Sequence, residues 1–275
     1  AAETFESVLA VQTQLVEESH PQVLRTLNNL GAVYGTLGRL RDALEVQQRA
    51  LELRIERQGP DHPDIFYSRY GIGRVLVDLG EDEQALDQFR LAISIVEDDW
   101  GPTHPLISRA VREMALTLRR LGRYEEAWRA YRRAFDIDHA NDDHRRAARA
   151  LEDAAFVRQS QGLLDLAHAA LNEAEAYAAE RLPGDAEVEA SILLARGMLH
   201  VLREDFEEAV ETLRSAVVLR REAFGDAHPR VGEALSRLGD ALIRLDRASE
   251  AEQALVEAEA ILLEALGGSH WLVGE

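Results

Sequence analysis

Apolar residues recur three and four positions apart along most of the chain, with polar residues between them. Leu27, Leu30, Val33 and Leu37 mark one such face, and Leu44, Leu51 and Ile55 mark the next. That spacing puts each set on one side of an α-helix. Gly38 stands between them, where a helix C-terminus needs a positive φ. The pattern therefore predicts two antiparallel helices joined by a short turn. Further on, Pro63 and Pro105 fall where a new helix opens, a place where proline sacrifices no hydrogen bond. Asp61 or Thr103 is positioned to cap that helix.

The helix pair repeats. His-Pro occurs at 20–21, 62–63, 104–105 and 228–229, and His-Trp at 270–271. The steps 20 to 62, 62 to 104 and 228 to 270 are each 42 residues, and a two-residue deletion around Asp138–Asp143 brings the interval between into register. Repeats then start at His20, His62, His104, His144, about Ala186, and His228. Fixed offsets test that register. Ala43, Ala85, Ala127, Ala167, Ala209 and Ala251 form one column, and Ala50, Ala92, Ala134, Ala174, Ala216 and Ala258 a second. Gly31, Gly73, Ala115, Ala155, Gly197 and Gly239 form a third column of small residues, where backbones must approach closely.

Some places depart from the pattern. Arg158 takes a usually apolar position, and a fifth repeat begun at Ala186 would bury Arg196 and His200. An unpaired buried arginine is expensive, so a start shifted to Glu187 is preferred; it turns Leu194 and Val201 inward and Arg196 and His200 outward. Residues 1–19 read as the lone second helix of a preceding repeat. Residues 20–269 hold six repeats, and 270–275 open a truncated further one. The expectation is a portion excised from a longer protein.

The small residue of the third column and the two alanine columns, with Phe89 or Tyr131 between them, resemble the tetratricopeptide repeat. The 42-residue period, the Gly-x-x-His-Pro joint and Thr26-Leu27-Asn28-Asn29-Leu30-Gly31 are similar to the kinesin-light-chain type of that family. The resemblance covers nearly the whole chain. It implies an all-α, right-handed solenoid of antiparallel helix pairs whose first helices line a concave groove. By that geometry the groove residues are Arg25, Asn28, Asn29 and Thr36; Tyr67, Tyr70, Arg74 and Asp78; Arg109, Arg112, Glu113, Leu116 and Arg120; and Arg149, Glu152, Asp153, Phe156 and Ser160. Leu194, Met198, Glu233, Ser236, Arg237 and Asp240 extend the set. The asparagine that family members commonly keep to clamp a peptide backbone survives only as Asn29; Gly71, Glu113, Asp153 and Arg237 replace it.

Composition narrows the chemistry. The 275 residues carry 50 acidic and 31 basic side chains, a net charge of −19, and every basic residue is arginine. Without cysteine there is no disulfide, thiolate zinc site or cysteine nucleophile. Without lysine there is no Schiff base, P-loop or kinase-type ATP site. An acidic surface argues against nucleic acid and anionic membranes. No stretch approaches the roughly 18 apolar residues of a membrane span, and the opening Ala1-Ala2-Glu3-Thr4-Phe5 is not a signal peptide. A cytoplasmic, bacterial protein is expected, the latter because arginine-only usage fits a GC-rich genome.

Candidate chemistry is sparse. Six of nine histidines, His20, His62, His104, His144, His228 and His270, belong to the joints, so their period is structural. Asp136, Asp138, His139, Asn141, Asp142, Asp143 and His144 lack the glycine and final glutamate of an EF-hand loop and read as a solvated acidic loop. No nucleophile elbow or phosphate loop occurs. The expectation is a protein without enzymatic activity, metal or cofactor. Residues 109–149 hold 11 Arg against 7 Asp plus Glu, and arginine suits bidentate recognition of carboxylates and phosphates. Those arginines either grip an acidic, phosphorylated or C-terminal peptide segment, with Tyr67, Tyr70 and Phe156 as aromatic contacts, or pair with neighbouring acids. The preferred function is a peptide- or protein-binding module of a signalling or scaffolding protein. The rivals are self-assembly through the solenoid ends, giving a homo-oligomer, and a ligand sensor controlling an attached effector.

Overall fold

The computed structural model describes residues 2–266, and within them every regular element is an α-helix. The helices are α1 (Ala2–Leu15), α2 (Pro21–Thr36), α3 (Leu40–Gln58), α4 (Ile65–Leu79), α5 (Asp82–Trp100), α6 (Pro105–Arg120) and α7 (Tyr124–Ala140) in one unit that ends at Asp142. A second unit, from Asp143, holds α8 (His144–Ser160), α9 (Leu164–Arg181), α10 (Ala186–Arg203), α11 (Phe206–Phe224), α12 (Pro229–Arg244) and α13 (Ala248–Leu266). Within each unit consecutive helices pack in antiparallel pairs, and each pair packs on the next. The opening of a further repeat at 270–275 lies outside the described residues.

The small-residue columns explain the pairing. Ala43, Ala50, Ala85, Ala92, Ala127 and Ala134 in the first unit, and Ala167, Ala174, Ala209 and Ala216 in the second, are fully buried. Each glycine of the third column meets a side chain 16 residues later on the second helix of its pair. A Cβ on Gly73 would lie 2.5 Å from Phe89, on Gly197 2.6 Å from Leu213, and on Gly239 2.6 Å from Leu255. The core is accordingly a string of local clusters. Val23, Leu24, Leu27, Ala50 and Leu53 form one, and Ala155, Ala167, Leu171 and Leu199 another. Stability in such a stack accrues from neighbouring interfaces.

Within the pairs the turn residue is left-handed: Gly80 has φ 79°, and Glu204 and Asp246 adopt φ 65° and 56° at the same place in later pairs. The caps at the joints differ from expectation. Histidine, and not Asp61 or Thr103, satisfies the opening turn: Nδ1 of His20, His104 and His228 accepts the N–H two residues on, at 3.3, 3.3 and 3.2 Å. Proline at the intervening position has no N–H, so the imidazole reaches past it to the first donor that needs an acceptor. His62 does the same for Asp64 N–H at 3.1 Å.

The fifth repeat also departs from the preferred reading. Helix α10 opens at Ala186 behind an Asp185 cap, and Gly197 faces Leu213, so the unshifted register holds. Leu194 is buried and Val201 packs on the core as expected. Arg196 and His200 do not turn outward; their side chains are only 14% and 18% exposed. Arg196 is accommodated because Glu175 of α9 pairs with it at 2.6 Å. The cost of burying the guanidinium is thus met by a partner that the repeat pattern does not reveal.

Candidate functional site

In the first unit, α2 and α4 run side by side and leave a cleft of about 770 Å³ between them. Arg25, Asn28, Asn29, Thr36, Tyr67, Tyr70, Arg74 and Asp78 line its walls, and Arg109 of α6 closes one side. Gln47 and Arg54 of α3 also line it.

The aromatic wall is built by packing. Phe66 is fully buried and stacks parallel to Tyr70 at 5.7 Å, with Tyr67 edge-on to Phe66 at 5.6 Å. Tyr67 stays 42% exposed, an amphipathic ring offered to the cleft. The Tyr70 hydroxyl donates to Glu113 Oε1 at 3.0 Å, while the Arg109 guanidinium lies over its ring at 4.6 Å. Burial and then the Glu113 charge raise the Tyr70 pKa above the usual phenol value, against the opposing influence of Arg109. The phenol is therefore a neutral donor at any ordinary pH.

Gln47 and Arg54 converge on Asn28. Gln47 Nε2 donates to the Asn28 backbone carbonyl at 3.0 Å, and Arg54 Nη1 donates to Asn28 Oδ1 at 3.1 Å and to Ser68 Oγ. Both side chains are nearly inaccessible, at 3% and 5% exposure. Gln47 fits only because the helices on either side carry glycine. A Cβ on Gly31 or Gly71 would lie 2.5 or 2.6 Å from the Gln47 amide.

The twelve residues singled out for partner binding distribute unevenly. Arg25, Asn28, Asn29, Tyr67, Tyr70, Arg74 and Arg109 share this cleft; Arg112, Leu116 and Arg120 do not line it. Arg120 instead bonds the Val77 carbonyl at 3.0 Å and pairs with Asp82 at 3.4 Å. In the second unit Phe156, with Ser160, Met198, Leu202, Arg237 and Asp240, lines a separate cavity of about 360 Å³, and Arg149 is exposed outside it. Several arginines of the 109–149 stretch are taken up by acids: Arg123 by Glu126 at 2.7 Å, Arg133 by Glu97, and Arg145 by Asp185 at 2.6 Å. In the acidic stretch beside them, Asn141 bonds the Thr103 carbonyl at 2.7 Å and Asp143 accepts the Arg146 N–H at 3.2 Å.

Sequence reasoning missed Gln47, Arg54 and Gly71 as floor residues. A signal was available: at the position of Gln47 the other repeats carry Phe89, Tyr131, Leu171, Leu213 and Leu255. A polar residue in an otherwise apolar column marks a place where the helix faces something other than core.

Comparison with known proteins agrees with this architecture. Family models described as tetratricopeptide repeat match residues 1–56, 37–98 and 188–264, and a second such model matches 113–141. No curated protein sequence matches significantly. Among solved structures, a kinesin light chain with TPR-like repeats from Podosopora anserina is 17% identical, with 90% of this chain and 98% of that one aligned at TM-score 0.52. Aspartyl phosphate phosphatase F from Bacillus subtilis is 14% identical over 98% of this chain and 66% of its own, at TM-score 0.64. A Rap protein in complex with Competence and Sporulation Factor is 17% identical over 96% and 70%, at TM-score 0.59. At these identities the likeness is one of fold. Within the described residues no helix is long and apolar enough to cross a membrane.

Proposed function

The chain belongs to the tetratricopeptide repeat family, and we propose that it is a protein-interaction module whose first unit takes a peptide segment of its partner in the cleft between α2 and α4. The observation that carries this reading is the cleft itself: about 770 Å³, walled by Tyr67 and Tyr70 and rimmed by Arg25, Asn29 and Arg109. Arg25 and Arg109 have no carboxylate within 4 Å among the described residues, in a chain of net charge −19. Low-entropy aromatic surface beside guanidinium that no carboxylate neutralises is the composition of a binding hot spot. The Rap protein with a bound factor is a fold neighbour and supports the same use of such helices. The parent protein would serve in signalling or scaffolding.

A random peptide library selected on this protein, with an Arg25→Glu/Asn29→Ala/Arg109→Glu variant as counter-screen, tests the reading. Peptides enriched on the parent alone, with affinity that falls as salt rises, are the expected result. Equal enrichment on both proteins, or none, would remove the cleft from the account. A second reading, end-to-end self-assembly, draws on α1, where Val8, Val11 and Leu15 are 41%, 56% and 77% exposed. A scattering mass that stays monomeric across concentration would eliminate it.

A further inference from the structure

The helices that wall the cleft open on caps that a proton can remove. His20 Nδ1 accepts the Gln22 N–H at 3.3 Å at the start of α2, and His62 Nδ1 accepts the Asp64 N–H at 3.1 Å at the start of α4. His104 and His228 make the same bond at the openings of α6 and α12. A nitrogen that accepts carries no hydrogen, so these rings are the neutral tautomer with its hydrogen on Nε2. The backbone suits the role: His20, His104 and His228 are extended, with φ of −63°, −62° and −80°.

Other joints are built differently. Asp143 Oδ1 accepts the Arg146 N–H at 3.2 Å at the start of α8, and Asp185 Oδ1 accepts the Val188 N–H at 3.3 Å at the start of α10. His144 stands at the fourth joint, but its Nδ1 meets the Tyr177 hydroxyl at 2.9 Å while Asp143 holds the cap. An aspartate keeps its acceptor oxygens across the range in which histidine takes up a proton. Histidine therefore caps every first helix of the first unit, α2, α4 and α6, whereas α8 and α10 of the second unit have caps that acid of that strength leaves alone.

Protonation puts a hydrogen on Nδ1, against the backbone N–H it had accepted, and adds charge at the positive end of a helix dipole. The neighbours act in both directions. Beside His20, Arg57 bonds the Ser19 carbonyl at 3.2 Å and Glu18 is paired with Arg49 at 2.5 Å. Trp100 lies 4.5 Å from the His104 ring, and Asn141 of α7 bonds the adjacent Thr103 carbonyl at 2.7 Å. Phe224 stacks on His228 at 4.7 Å with Arg230 over Phe224 at 4.8 Å, and near that joint Arg221 pairs with Glu257 of α13 at 2.5 Å and with Asp226 at 3.8 Å. Asp64, 3.9 Å from His62 Nδ1, is the one carboxylate within 4 Å of these rings among the described residues, and it accepts Gln58 Nε2 at 3.2 Å. There a proton turns Nδ1 from the Asp64 N–H toward the Asp64 carboxylate, which favours the charge and breaks the cap all the same. In each case the freed backbone N–H is left to water, and the opening turn frays.

Pro21, Gln22 and Asp64, in the capped turns, themselves line the cleft. Resting on the reading that this cleft takes a peptide, we propose that its joint histidines are a proton-operated release: uptake of a proton by His20 and His62 frees the opening turns of α2 and α4 at the edge of the cleft and lets the partner go, while α8 and α10, capped by Asp143 and Asp185, stay closed.

Two measurements keep the release distinct from the peptide reading. Imidazole nitrogen NMR shifts, taken without ligand, show which ring nitrogen carries the hydrogen. At about pH 7.5 His20, His62, His104 and His228 should carry it on Nε2, and on acidification the amides of Gln22, Asp64, Leu106 and Arg230 should shift with the rings while those of Arg146 and Val188 hold still. Peptides without histidine that enrich on this protein are then titrated by calorimetry at about pH 7.5 and about pH 5.5. Binding should weaken about tenfold in acid, but less than about threefold in His20→Asn/His62→Asn, whose side chains cap without titrating. His20→Asp/His62→Asp, with the residue type that caps α8 and α10, should behave alike and serves should the asparagine pair fail to fold. Hydrogen on Nδ1 of His20 or His62 at the higher pH would overturn the proposal. So would an acid loss of affinity that the variants share, or none in the unsubstituted protein, and either result would leave the peptide reading standing. Failure to enrich any peptide over the rim variant would remove that reading and the release together, with the NMR titration still deciding the state of the caps.

Discussion

Gly71 and Gln47 touch where a methyl group could not. An ideal Cβ on Gly71 would stand 2.6 Å from Gln47 Oε1, and the opposite face of the same amide is equally close to the Cβ position of Gly31. Glycine inside a helix costs about 1 kcal/mol relative to alanine. Here that cost admits a polar side chain to a place its equivalents fill with core.

Gly71→Ala should therefore destabilise the protein by about 1–3 kcal/mol despite its better helix propensity, because the amide has no free space to retreat into. Combining it with Gln47→Ala should recover most of the loss. Denaturant midpoints of the two single variants and the double variant form the cycle; simple additivity would show that the two residues do not interact.

Arg220 and Glu233 present the paired counterpart of the cleft floor. Arg220 is 8% exposed and Glu233 55%. Glu233→Gln should cost about 1 kcal/mol, discounted from the full price of an unpaired buried charge because water reaches the glutamate side. Arg54→Met should be neutral or stabilising in urea unfolding, since no carboxylate loses a partner. Equal losses for the two variants would contradict the distinction drawn between the two arginines.

His168 gives the protein a pH dependence near neutrality. Its pKa lies below the ordinary 6.5, first because of burial and then because of Arg196, Arg203 and His200, with Asp165 opposing. The unfolded chain then takes up the proton more readily than the folded one. Stability falls as pH drops from 6.5 toward the depressed value and is unaffected above it. In His168→Gln that part of the acid loss should vanish in thermal melts between pH 7 and 5. An unchanged slope would place the pH dependence elsewhere.

Glu204 occupies a left-handed turn at φ 65°, where the equivalent pair in the first unit has Gly80. A side chain in that conformation costs about 1 kcal/mol. Glu204→Gly should raise the thermal midpoint by up to a few degrees, with the added freedom of the unfolded chain taking back part of the gain. A fall would show that the Glu204 side chain contributes contacts of its own.

The repeat architecture was legible because its causes are local and recur. Apolar spacing specifies helices, fully buried Ala43 and Ala50 specify close helix contact, and the offset between Gly73 and Phe89 recurs as Gly197 with Leu213. Periodic placement likewise marked the joint histidines, although only geometry revealed that His104 itself caps α6. The fifth repeat was misjudged because burying Arg196 is unfavourable only without Glu175, and that partner sits 21 residues away on another helix.

The residues lining the walls of the cleft, Arg25, Asn29, Tyr67, Tyr70 and Arg109, were placed by the resemblance to the tetratricopeptide repeat, whose first helices line a groove. The floor was not. The repeat columns mark Gln47 as a polar residue where its equivalents are apolar, but they do not show what it or Arg54 faces. What distinguishes them is that Gly31 and Gly71, from two different helices, open a passage to one amide, and that the carboxylate which neutralises Arg220 has no counterpart beside Arg54. Helix and repeat depend on residues a few positions apart, so the chain alone carries them. Charge compensation and the space around a buried polar group depend on which side chains three separate helices bring together, and only the tertiary structure decides that.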